Sequence, residues 1–164
     1  MSKQLHTMRI IWGALLGAVL IYFGVLMAIA PNPSEKPDPV MLYALGGMAL
    51  SVAIVSQVLP RKMYARAVAK LKLEVVEDQE GLLVVANPQQ ARSKAYKLFQ
   101  APFIVSLAMA EAVAMFGFVL GFTGFPIPHT IPFFMVGMTL IGFQFPTASK
   151  VFSPIEAHIG ARLH

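Results

Sequence analysis

The chain has 164 residues, of which 57% are apolar and 13% charged, with a net charge of +5 and no cysteine. A soluble domain averages about 25% charged residues, so this composition excludes an ordinary globular protein and indicates one compact membrane domain over residues 1–164. Disulfide, zinc-thiolate and redox-thiol chemistry are excluded as well, and the basic excess lies before and between apolar stretches, a pattern of topology rather than of nucleic-acid binding.

Crossing a bilayer takes about 20 apolar residues per helix. Four stretches are candidates, at about 10–30, 40–59, 103–124 and 129–148, giving an all-α membrane protein with four transmembrane helices. The fourth is apolar only over Ile131 to Phe145 and needs its flanks to reach spanning length. The first has features of a secretory signal: Lys3 and Arg9 precede it, and Ala28-Ile29-Ala30 resembles a cleavage site. Its apolar run exceeds the roughly 7–15 residues of such signals, and Pro31 follows directly, so it reads as a retained anchor.

Between the first two spans, Pro31 to Pro39 is proline-rich and predicts a short, stiff, non-helical turn. The segment 60–101 is the only sizeable polar part. Arg61 to Leu73 reads as a basic helix continuing the second span. Leu73-Glu74-Val75-Val76 and Leu82-Leu83-Val84-Val85, around Asp78-Gln79-Glu80-Gly81, read as a short hairpin. Asn87-Pro88 is a helix start, and a basic helix to about Gln100 is expected to break or kink at Pro102. Gly124 to Thr130 predicts a second tight loop.

The cations set the expected orientation. Lys3 and Arg9 precede the first span. Arg61, Lys62, Arg66, Lys70, Lys72, Arg92, Lys94 and Lys97 lie between the second and third, and Lys150 and Arg162 follow the fourth. Lys36 stands alone on the other side, with Glu35 and Asp38. Positive segments stay cytoplasmic, which places both termini and the long basic loop inside (N-in, C-in). Arg61, Lys62, Arg66, Lys94 and Lys97 are the candidate contacts to lipid headgroups; the plainer reading is that they only enforce topology. The expected location is multi-pass in a bacterial inner (cytoplasmic) membrane.

Glu111 is the only acid inside any of the apolar stretches. It lies roughly 12 Å past the start of the third span at helical rise, near mid-bilayer. A carboxylate there must be neutral, paired or turned to a wet cavity. On a helical wheel Ser106, Ala110, Ala114, Gly117 and Gly121 share one side, a small-residue face suited to close helix packing, and Glu111 sits at its edge. Gly13 and Gly17 give the first span a similar pattern. Tyr22, Tyr43, Ser51, Thr139 and Gln144 are the polar groups that other spans offer Glu111, besides water, and no Lys or Arg lies deep in any span. Among these, Gln144 is a candidate neighbour of the acid, as is Phe116 on its own helix. His129, beside the outer surface, reads as a solvated loop histidine; His6, His158 and His164 have no metal-ligand spacing. No catalytic constellation, metal site or cofactor motif is visible, so the chain does not read as an enzyme.

The run from Ala108 to Leu120, with Ala-Glu-Ala at 110–112 and Phe116-Gly117, resembles the carboxylate helix of the proteolipid (subunit c) of rotary ATPases. The resemblance implies that Glu111 is an ion-carrying carboxyl, with Phe116 at the family's tyrosine and Gly117 at the following glycine. It covers this one helix. The second span has only Gly46 and Gly47 where that family's inner helix alternates glycines, and the polar loop is longer. The leading expectation is a proton- or cation-handling subunit, homo-oligomeric or part of a larger membrane complex. The alternative is a structural or accessory four-helix protein in which Glu111 is an interhelical hydrogen-bond donor. A small multidrug-type antiporter fits less well, because of the long basic loop and the position of the acid.

Overall fold

A computed structural model describes residues 3–29, 38–71, 75–77, 83–85 and 87–160. The stiff turn expected at 31–37 (with Lys36), the hairpin turn at 78–81, Lys72, Arg162 and His164 lie outside the described residues. The described chain is helical apart from one short antiparallel strand pair. Three helices, α1 (Lys3–Ile29), α2 (Pro39–Ala69) and α3 (Pro88–Phe122), are long and apolar enough to cross a membrane. A fourth candidate is a bent pair: α4 (Ile127–Phe143) and α5 (Ala148–Ile159) meet at 58°. Strands β1 (Val75–Glu77) and β2 (Leu83–Val85) pair antiparallel, Val76 opposite Val84.

The helix starts follow from side chains that satisfy otherwise unpaired amides. Asp38 accepts from the Val40 N–H at 2.9 Å, with Pro39 in the first helical position. Asn87 accepts from the Gln90 N–H at 3.1 Å ahead of Pro88. Gly160, at φ +66°, ends α5 in the left-handed conformation that glycine adopts without penalty.

Prolines depart from expectation in three places. α3 runs unbroken through Pro102, as α2 does through Pro60. A proline inside a helix frees one carbonyl, which is tolerated where neighbouring helices cover the site, and both prolines are buried. The expected loop over 124–130 is shorter, because residues 127–130 form the first turn of α4, where Pro128 lacks only an amide that had no partner to find. The fourth span, expected to 148, ends as a helix at Phe143. Pro146 follows, and Thr147 then caps α5.

The long helix α3 is central, packed against α2, α4 and α1, with α5 closing over α2 and α3 at one end. Mid-bundle, the buried side chains are Val19, Leu26, Leu107, Ala110, Ala114, Phe134 and Ile141. At the basic end they are Leu5, Met8, Tyr64, Val68, Ala91, Ala95, Tyr96, Val151 and Ile155. The ends of the basic loop thus form a packed helical cap rather than a loose connection. Large apolar side chains such as Val40, Leu50, Ile54 and Val58 of α2 point outward, as a bundle facing hydrocarbon requires.

Candidate functional site

Glu111 sits half-buried on α3, beside α1. The Tyr22 hydroxyl of α1 donates to Glu111 Oε1 at 3.1 Å, and among the described residues this is the hydrogen bond of the carboxyl. The Tyr22 ring stands 5.9 Å from that of Phe118, one of two aromatic contacts that fix α1 near the acid. The other joins Phe23 to Phe134 of α4, with centroids 5.2 Å apart. A tyrosine hydroxyl suits the position because it donates to a carboxylate and also accepts from a protonated carboxyl.

The small residues beside Glu111 are where α4 closes on α3. Ser106, Ala110, Ala114, Gly117 and Gly121 are all buried. A β-carbon on Gly117 would lie 2.6 Å from Phe133 Cβ and 3.1 Å from the Thr130 carbonyl oxygen. One on Gly137 of α4 would lie 2.9 Å from Ala114 Cβ and 3.2 Å from the Ala110 carbonyl oxygen. The two backbones therefore approach closely across a seam that has no room for a β-carbon on either glycine. Gly121 makes room instead for the Leu26 side chain of α1. Gly13 and Gly17 differ: among the described residues, a β-carbon on either would meet nothing within 4 Å, so this pair is not a packing seam between the described helices.

The two candidate neighbours of Glu111 do not supply its hydrogen bond. Phe116 is half-buried on the same helix, five positions on and so about 140° round it. Gln144 lies seven positions past Gly137, roughly 10 Å nearer the basic end, where it lines a cavity with Ser106. Its side-chain nitrogen and oxygen are buried there without a hydrogen-bond partner among the described residues. Antiparallel packing explains the offset: with Gly137 against Ala110 and Ala114, position 144 falls below the acid. His129 is exposed in the first turn of α4.

Arg61, Lys62, Arg66, Lys94 and Lys97 are all exposed at the ends of α2 and α3 that form the basic cap. Only Arg61 lines the 460 Å³ cavity, and Lys150 of α5 joins it there. The Lys150 ammonium donates to the carbonyls of Phe143 at 2.7 Å and Phe145 at 3.1 Å, at the negative end of α4.

Three contributors were not singled out in the sequence. The Trp12 indole N–H donates to the Ile141 carbonyl at 2.7 Å, its ring 5.1 Å from Phe145. The Tyr64 hydroxyl donates to the Val151 carbonyl, binding α5 to α2. The helix α5 itself had a readable signal in Val151 and Ile155 one turn apart between the Thr147 cap and Gly160. Compared with models of protein families, with curated proteins and with solved structures, the chain matches none.

Proposed function

We propose that this chain is a four-span integral membrane subunit, N-in and C-in, that handles protons or cations through Glu111 as an oligomer or within a larger complex. The observation that carries the reading is the Tyr22–Glu111 hydrogen bond. The one acid of the apolar helices has a hydroxyl beside it and, among the described residues, no cation bonded to it. An uncharged carboxyl held by a hydroxyl is tolerated in hydrocarbon, whereas the ionised form needs water or a cation from a partner. Proton release is thereby confined to the places where such a group arrives. One charge crossing the field gains about 2.3 kcal/mol per 100 mV, enough to bias the cycle. The resemblance of residues 108–120 to a proteolipid carboxylate helix supports the same role.

A second reading is supported by the same bond, because it ties α1 to α3: Glu111 then serves assembly alone. Glu111→Gln separates the two, since an amide still accepts from Tyr22 yet carries no proton. Reconstituted into proteoliposomes under an imposed potential, the wild-type chain or its complex is expected to pass protons or cations and Glu111→Gln to pass none, with assembly intact. Equal flux through both would leave only the structural role.

A further inference from the structure

The cavity at the basic end lies between α2, α3 and the α4–α5 bend, away from the Tyr22–Glu111 pair. Its mouth carries Arg61 and Lys150, both exposed, and no carboxylate lines it. Two like charges share one opening, with no counterion among the described residues that line it. Of the three Lys150 donors, two go to carbonyls of the α4 end, which leaves one. Deeper in, the wall is apolar, with Tyr64 and Phe103 both buried. Two amides break that wall: the Gln57 side-chain nitrogen, and both polar atoms of Gln144, are buried with no hydrogen-bond partner among the described residues. Unpaired buried amides are costly, roughly 1–3 kcal/mol each, and call for a polar group to meet them.

We infer that this cavity is a binding site for one anionic phospholipid, its phosphate between Arg61 and Lys150 and its ester carbonyls accepting from the side-chain nitrogens of Gln57 and Gln144. A free inorganic anion satisfies the cations but leaves the amides and the apolar wall unfilled. A zwitterionic lipid brings a cation of its own to a mouth that already holds two. An anionic amphiphile meets all three features. The volume, 460 Å³, suits a headgroup and the first carbons of the tails, which leave over exposed Phe143 at the rim. The site selects one lipid rather than a diffuse anionic surface, because Lys62, Arg66, Lys94 and Lys97 do not line it.

The test is native mass spectrometry of the full-length protein in mild detergent, titrated with phosphatidylglycerol, with phosphatidylcholine of the same acyl chains, or with inorganic phosphate. One phosphatidylglycerol is expected to stay bound per chain. The pair Arg61→Gln and Lys150→Gln is expected to weaken it at least tenfold, and Lys62→Gln with Lys94→Gln to change it less than twofold. Ser153→Trp, on the exposed rim and neutral in charge, is expected to displace the lipid from a chain that remains helical. Equal retention of phosphatidylcholine, competition by phosphate alone, or undiminished binding to Ser153→Trp would each overturn the assignment. None of these readouts involves Glu111, so they stand apart from the test of ion flux.

Discussion

At the residue scale the proposed function rests on a carboxyl and a phenol. The Tyr22 hydroxyl can pair with Glu111 in either protonation state, but a hydrogen bond to a charged group contributes about 1.5–3 kcal/mol, more than one to a neutral group. Tyr22→Phe therefore leaves the ionised acid without its donor while the ring keeps its place beside Phe118. Flux in proteoliposomes should fall roughly tenfold or more, from the lower end of that range. The folded chain should lose only about 0.6 kcal/mol, the average for a hydrogen bond between membrane helices, measured as unfolding in mixed micelles. A large loss of stability with unchanged flux would assign the pair to assembly. Glu111 stood out in the sequence because it is the one acid in apolar surroundings. Tyr22 was one of several polar groups within reach, since a single helical wheel gives no register between α1 and α3.

At the scale of elements, the small face of α3 was legible from spacing, whereas the identical spacing in α1 was not informative. Gly117 meets Phe133 Cβ and the Thr130 carbonyl, which cannot rotate away, while Gly13 faces open space. Gly117→Ala should thus force α3 and α4 apart at a cost of about 1–3 kcal/mol, the usual range for overpacking. Gly13→Ala should be neutral or slightly stabilising through helix propensity. Gly121→Ala should cost less than Gly117→Ala, because the obstructing atoms belong to the end of the Leu26 side chain. Thermal unfolding of the three variants in one detergent checks the order. A proline inside a helix is costly in water, yet within a bundle the freed carbonyl is shielded by neighbours. Pro102 therefore lies inside α3, while Pro146 does separate α4 from α5.

At the scale of the whole molecule, composition and charge placement were sufficient for an apolar helical bundle with one basic end. They did not reveal that this end is itself packed. Tyr64, Tyr96, Val151 and Ile155 are buried there, among segments whose charge density reads as solvated. The apolar content of the cap comes from four separate stretches, and only the fold brings them together. The proposed N-in, C-in topology can be read without altering the background, since the chain has no cysteine. Single cysteines at Lys94 and at His158 should react with an impermeant maleimide only after cells are permeabilised, and one at Asp38 should react in intact cells. Reaction of all three in intact cells would contradict four spans with the basic end inside. The exposed glycines of α1 and the apolar outer face of α2 remain open to a second copy or to lipid, and mass photometry in nanodiscs is expected to show more than one chain per particle.

The central claim is that Glu111 is an uncharged, exchangeable carboxyl in the middle of the bilayer. It is tested most directly by treating native membranes at neutral pH with a lipid-soluble carbodiimide, which reacts with protonated carboxyls, and mapping the adduct by mass spectrometry. Modification of Glu111 with concurrent loss of flux, and no adduct at this position in Glu111→Gln, is the predicted result. An unmodified Glu111 in membranes where the same reagent reaches a carboxyl introduced at neighbouring Ala112 would contradict it.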